Sequence, residues 1–243
     1  MTRFADLNLR VPLNNLSQIE RIVKNAHELG YSLIAIPFLP HAPQEQISRL
    51  RDICHESKID FATRVNLIPR TSNELLHSLR RFRRKFEIVS VMCHTKDVAR
   101  QAAKDRRVDL LQFSVTNLRK RFFDEAEAKL ASKAFSSLEI EMASLLQLTG
   151  ASRIRLFSRL RKEVALAKRF KVPITISSGA TNEYQMRRAR DYAALASLFD
   201  LSLSSTLMAL SANPYVMVER NREKLSPEYV APGIRVLGRR GSA

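Results

Sequence analysis

Tryptophan is absent from the 243 residues, and cysteine nearly so, with two. The core must therefore be built from aliphatic side chains and twelve Phe. Cys54 and Cys93 do not form a CxxC pair, so a zinc knuckle or ribbon lacks its ligands; reduced thiols are expected. No run of eighteen or more uncharged apolar residues occurs, which excludes an ordinary transmembrane helix. The opening residues, Met1-Thr2-Arg3-Phe4-Ala5-Asp6, lack the apolar stretch of a signal peptide. An intracellular, cytoplasmic protein is the expectation. Neither GxGxxG nor GxxxxGK[ST] follows the first strand-like segment, which argues against the nucleotide-binding open sheets. A GxSxG nucleophile elbow is also missing.

Acidic residues are in short supply as well. The chain has 41 Lys and Arg against 24 Asp and Glu, a formal net charge of +17. The excess is uneven. Residues 1–60 hold seven basic and seven acidic residues, whereas residues 61–243 hold 34 and 17. Such an excess favours a polyanionic partner, and Arg, the commoner cation, suits phosphate through its planar fork. A membrane surface is disfavoured, because no segment pairs a basic face with an exposed Trp/Phe/Leu face.

What is present is an alternation. Strand-like runs recur at Phe4–Leu9, Leu33–Ile36, Phe61–Leu67, Ile88–Met92, Val108–Phe113, Leu138–Met142 and Ile174–Ser177. Helical patterns separate them at 14–29, 43–57, 71–86, 97–104, 124–134 and 152–170. After the last strand come helices at 183–198 and 215–224, with 201–210 reading as a strand leading into a helix. Gly30 sits where a helix-ending glycine belongs, and Thr71 to Glu74 makes a capping-box-like start. About seven strands alternating with helices imply parallel βαβ units. The fold class is therefore α/β. A (β/α) TIM-barrel-like arrangement is favoured over a doubly wound sheet. Residues 1–225 are expected to form a single domain. Residues 226–243, with Pro227, Pro232, Gly233, Gly238 and Gly241, read as a loose basic tail.

A barrel displays function at the carboxyl ends of its strands. That places Asn8, Arg10, Pro37, Arg64, Asn66, Arg70, His94, Ser114, Glu141, Ser177, Ser178 and Tyr184 at the mouth. The set is poor for catalysis. Metal-dependent hydrolysis needs several His and carboxylates to converge, yet of the five His only His94 stands at a clear strand end and His41 in a mouth loop. No catalytic residue and no metal ligand is assigned. Ser177-Ser178-Gly179-Ala180 is either a tight strand-to-helix turn that needs glycine or a phosphate-holding turn of hydroxyls and N–H groups; both readings stay open. Four basic runs lack matching acids: Arg80-Arg81-Phe82-Arg83-Arg84-Lys85, Arg119-Lys120-Arg121, the helix from Arg153 to Lys171, and Arg187-Arg188-Ala189-Arg190. One such run is usually a solvated helix face, but four favour contacts to a phosphate backbone. The candidate RNA-binding residues are Arg64, Arg70, Arg80, Arg81, Arg83, Arg84, His94, Arg119, Lys120, Arg121, Ser177, Ser178, Arg187 and Arg188. No RNP-like aromatic strand or GXXG loop is present, so RNA would be read by shape and charge.

Several strings occur in one order: Phe4-Ala5-Asp6-Leu7-Asn8, Gly30-Tyr31, Leu138 to Met142, Ile176-Ser177-Ser178-Gly179-Ala180, Arg188/Asp191 and Ser211-Ala212-Asn213-Pro214. That order resembles the ribonuclease P protein component three family, archaeal and eukaryotic, over nearly the whole chain; the short tail looks archaeal. The family is similar to the polymerase-and-histidinol-phosphatase barrels, whose His-x-His after the first strand holds metal. Asn8-Leu9-Arg10 stands in that place here, so those metal ligands are missing. The resemblance implies a subunit of an endoribonuclease that removes the 5′ leader from precursor tRNA, with the chemistry done by the RNA. It further implies no cofactor bound by this chain, Mg ions held with the RNA, and two kinds of partner: the ribonuclease P RNA with its precursor tRNA, and the other protein subunits, especially the small ferredoxin-like component two. Two competing readings are a stand-alone metal-dependent phosphoesterase using His41, His94 and Asp6, and a ribosome- or rRNA-associated binding protein.

Overall fold

A computed structural model describes residues 3–115, 117–231 and 234–236. Seven strands, β1 (Phe4–Asp6), β2 (Tyr31–Phe38), β3 (Asp60–Leu67), β4 (Ile88–Met92), β5 (Leu110–Gln112), β6 (Ser137–Glu141) and β7 (Ile174–Ser177), pair in parallel in chain order. They curl into a nearly closed barrel, as the alternation predicts. No ladder joins β7 to β1. Two single bonds bridge that seam: the Ser178 N–H donates to Asp6 Oδ1 at 3.0 Å and the Arg10 N–H to the Ala180 carbonyl at 2.7 Å.

Helices α1 (Leu16–Glu28), α2 (Gln44–Glu56), α3 (Ser72–Phe82), α4 (Lys96–Lys104) and α5 (Glu125–Ala134) follow the first five strands in turn. A short α6 (Met142–Gln147) and the long α7 (Gly150–Arg169) follow β6, and α8 (Ala189–Ala196), α9 (Leu203–Leu210) and α10 (Ala212–Leu225) follow β7. Their starts obey capping chemistry. Asn15, Thr71, Thr95 and Asp124 each accept an N–H from the third residue onward. The Glu74 carboxylate in turn accepts the Arg70 N–H at 2.8 Å. Gly30, with φ +90°, closes α1 in the left-handed conformation that glycine takes without strain.

Each strand sends alternate residues to either side. One set packs under the helices as the main core, including Ile34, Ile36, Val65, Val89, Val91, Leu111 and Ile140. The other lines the barrel. Its lower layer, Ala5, Leu7, Leu33, Ala35, Ala62, Ile88 and Leu110, packs against Met217 and Val218 of α10. Three alanines in that layer leave room at the amino ends of the strands for a helix, so α10 closes the floor of the barrel. The end of the same helix is bound to the sheet. Arg220 and Asn221 donate to Asp109, and Arg222 donates to Asp60 and Glu87.

Several elements depart from the sequence reading, among them α6 (Met142–Gln147), absent from that reading, and a β1 that ends at Asp6. α3 stops at Phe82, because Arg83 to Lys85 turn so that Phe82 and Phe86 are both buried. The expected 183–198 helix is a 3-10 turn at 183–185 and then α8, interrupted where Met186 buries and Asp191 accepts the Arg188 N–H at 3.3 Å. Residues 203–210 are wholly helical, begun by Ser202. Within the segment read as a loose tail, β8 (Tyr229–Ala231) and β9 (Ile234–Arg235) pair as an antiparallel hairpin. The rest of that tail reading, residues 232–233 and 237–243, lies outside the described residues, as do Met1 and Thr2. No helix among the described residues is long and apolar enough to cross a membrane.

Candidate nucleic-acid interface

The carboxyl ends of β4, β5 and β6 surround a cavity of about 240 Å³, with Arg10, His94, Gln112, Phe113 and Glu141 on its wall. Charge there is answered from within. Arg64, on β3, is fully buried and pairs in a two-pronged fashion with Glu139 of β6, 2.7 Å on each branch. Its remaining donors reach the Leu7 carbonyl at 2.6 Å and Asn66 Oδ1 at 2.8 Å. Ser177 Oγ donates to Glu139 at 2.7 Å. Above this hub, Arg10 is ion-paired to Glu141, and Asn8 Nδ2 donates to the same carboxylate at 3.4 Å. Burial raises the Glu141 carboxyl from 4.5 to about 7, with the Arg10 charge opposing.

Four of the candidate RNA-binding residues are buried and bonded within the chain. Arg64 and Ser177 belong to the buried hub. Ser178 is 1% exposed; its N–H is taken by Asp6 and its Oγ accepts the Ala180 N–H at 3.0 Å. The Ser177 hydroxyl and the Ser178 N–H of the Ser-Ser-Gly element are thus already donated to carboxylates within the chain. Gly179 has φ +66°, and a Cβ there would lie 2.3 Å from Glu141 Cγ, so both backbone angle and space demand glycine. Arg121 is 4% exposed and bonds Glu163 at 2.8 and 2.5 Å, with further bonds to the Phe113 and Ser114 carbonyls. A guanidinium held this way offers nothing to a phosphate. Sequence reasoning missed these pairings because the partners are 75 and 42 residues distant.

The other candidates reach the surface to different degrees. Arg83 is mostly covered and pairs with Asp109 at 2.5 Å. Arg187 folds its guanidinium onto the Tyr184 and Met186 carbonyls at 2.6 and 2.7 Å. His94 is half-buried at the mouth cavity. Arg70, Arg80, Arg81, Arg84, Arg119, Lys120 and Arg188 are exposed, with the Arg81 guanidinium over the Phe82 ring at 5.4 Å. The structure also brings together cations that the sequence reading did not select. Arg106 and Arg107, just past α4, and Lys224, near the end of α10, share a cavity with Arg83 and Arg84. The Arg106-Arg107 doublet was the available signal.

The residues of the competing phosphoesterase reading do not gather. Asp6 is buried and holds the Asn8 and Ser178 N–H groups, burial raising its pKa against those bonds. His41 packs its ring against Phe82 at 5.7 Å. Among the described residues no three His, Cys, Asp or Glu are placed to hold a metal ion. Both thiols are buried, and burial pushes Cys54 up to about 12.

Fold and side chains together define a basic seven-stranded (β/α) barrel in which Arg64 and Arg10 at the mouth are paired to Glu139 and Glu141. The chain belongs to the RNase P subunit p30 family, whose family model matches residues 3–226. It is 25% identical to ribonuclease P protein component 3 of Methanococcoides burtonii over 234 residues, 96% of this chain and 94% of that protein. It is 26% identical to the same component of Methanosarcina mazei, over 96% of this chain and 95% of that protein. Among solved structures, a chain in the cryo-EM structure of archaeal ribonuclease P with mature tRNA superposes with a TM-score of 0.84 at 21% identity, covering 98% of this chain and 100% of that one. Aspergillus niger ochratoxinase shares the barrel more distantly, with a TM-score of 0.59 at 12% identity over 90% of this chain and 71% of that one. At these identities the structural likeness speaks for the fold.

Proposed function

We propose that this chain is a protein subunit of ribonuclease P, supporting the RNA subunit in endonucleolytic removal of the 5′ leader from precursor tRNA. The observation that carries this is the family match across residues 3–226, joined by relatives named ribonuclease P protein component 3 over nearly their whole length. Physical chemistry agrees. A net charge of +17 suits a partner with one negative charge per nucleotide. Arg10 and Arg64 are paired to the mouth carboxylates Glu141 and Glu139, where barrel enzymes gather catalytic groups. The phosphoesterase alternative has no feature in its favour.

The partners that follow are the ribonuclease P RNA, precursor tRNA and the other protein subunits, including the small ferredoxin-like component two. A cytoplasmic site of action goes with them. Mg ions would be held by the RNA, with no cofactor held by this chain. The test is reconstitution. The RNA with the other protein subunits should cleave precursor tRNA better when this chain is added, and this chain alone should not cleave. Leader removal by the pure chain, lost in His94→Ala, would overturn this reading.

A further inference from the structure

The floor of the barrel carries an open cavity of about 610 Å³ between the end of α3, the loop after α4, and the end of α10 with the β8 strand. Arg83, Arg84, Arg106, Arg107 and Lys224 line it, with Arg220 alongside. Two carboxylates answer these six cations. Asp105 takes Arg107 at 2.7 and 2.9 Å, and Asp109 takes both Arg83 and Arg220. Arg84, Arg106 and Lys224 have no ion pair among the described residues. α3, α4 and α10 end here, and each carboxyl terminus adds roughly half a negative charge that fades within a turn. The excess stays positive.

Lys224 registers that field: its pKa is lowered, first by burial and then by the charges of Arg220, Arg83 and Arg106. Cations held close without counter-charge raise the energy of the folded chain and lower that of any anion placed among them. The shape narrows the choice of anion. Helix carboxyl ends present carbonyls, so the cavity lacks the converging N–H groups that grip a single terminal phosphate. Long side chains along an open trough suit successive phosphates of a polymer instead. Tyr229 on the wall adds an aromatic ring, which serves a backbone bearing bases.

We propose that this amino-end groove, centred on Arg84, Arg106 and Lys224, is where the chain binds the phosphate backbone of RNA. The identity of that RNA rests on the ribonuclease P reading; the groove as a polyanion site does not. The site lies opposite the barrel mouth and includes Arg106 and Lys224, which no basic run in the sequence had marked.

The test uses the full chain with the triple substitution R84Q/R106Q/K224Q. None of the three side chains holds an ion pair and their mutual repulsion is relieved, so thermal unfolding should occur at or above the wild-type temperature. The probes are a ribonuclease P RNA and a precursor tRNA, titrated separately over a range of salt. Each lost phosphate contact removes about 0.7–0.9 from the slope of log affinity against log salt. The slope for at least one RNA should fall by about 2, with affinity near 0.1 M salt down about tenfold or more. R49Q/R51Q, at exposed positions of α2 in the charge-balanced amino-terminal part of the chain, should leave both quantities near wild type. Wild-type affinity and slope in the triple variant would overturn the groove proposal and leave the subunit reading standing, provided wild-type chain still stimulates reconstituted cleavage. Unchanged RNA binding with lost capture of the other protein subunits would overturn it too, since an acidic protein segment would then be the occupant. A wild-type chain that neither binds these RNAs nor stimulates cleavage would bring down both readings.

Discussion

The two ends of this barrel use the same residue, arginine, in opposite ways. At the mouth Arg64 and Arg10 face Glu139 and Glu141, and their charge is spent inside the chain. At the floor Arg83 and Arg220 are paired while Arg84, Arg106 and Lys224 are left over. The mouth side also exposes Leu39, Ile68, Tyr184 and, near the start of α7, Ile154, apolar bodies that do not attract phosphate. The difference teaches that a net charge locates nothing. Position relative to carboxylates decides which cations are available: Arg64 and Arg10 at the mouth are spent, while unpaired cations gather in one cavity at the end that (β/α)-barrel enzymes use for stability.

The comparison breaks most visibly at Arg64. Arg64→Ala strands the Glu139 carboxylate in the barrel, and removing one partner of a buried pair costs about 3–5 kcal/mol. Urea unfolding should register that loss, whereas pairing Arg64→Met with Glu139→Leu should recover much of it. A loss under about 1 kcal/mol for Arg64→Ala would mean that water enters the barrel and the mouth is not closed. Next comes Gly179→Val. A positive φ on a β-branched residue costs on the order of 1–3 kcal/mol, and the added carbon meets Glu141. Ser178→Ala should cost about 1 kcal/mol, one ordinary hydrogen bond, with RNA affinity unchanged. Weaker RNA binding by Ser178→Ala in a fully folded chain would restore the phosphate reading of this turn.

Glu141 sharpens the comparison through pH. Its folded pKa lies above the unfolded one, near 7 against 4.5. The folded state therefore binds more protons between these values, and the stability Glu141 contributes is full below about pH 4.5 and lost as pH rises through about 7. Burial similarly raises Glu127 to about 7, with Arg100 opposing. In Glu141→Gln the decline in stability from pH 5 to 8, followed by chemical unfolding, should be shallower than in the wild type. An equally steep decline would assign the proton to Glu127. The smallest effect is expected from Arg119→Gln with Lys120→Gln, exposed cations on the mouth side. Stability should shift by less than about 0.5 kcal/mol, and the salt dependence of RNA binding should barely move. A slope change as large as that of the floor variant would erase the distinction between the two ends.

Periodicity marked the seven strands and most of the helices between them and favoured the parallel barrel, since alternation and capping are written in neighbouring residues. The family was legible too, in short strings such as Ile176 to Ala180 and Asn213-Pro214 that keep their order along the chain. So was the excess of positive charge. Local patterns also marked Gly30 and Gly179 as positions where backbone angle matters. Tertiary structure alone decided which arginines are free. Arg64 and Arg84 both look like phosphate ligands in the sequence. One meets a glutamate across the barrel, 75 residues on, while the other ends beside Arg106 and Lys224 from distant helices. Ion pairing acts over a few ångströms of space, and separation along the chain does not record it.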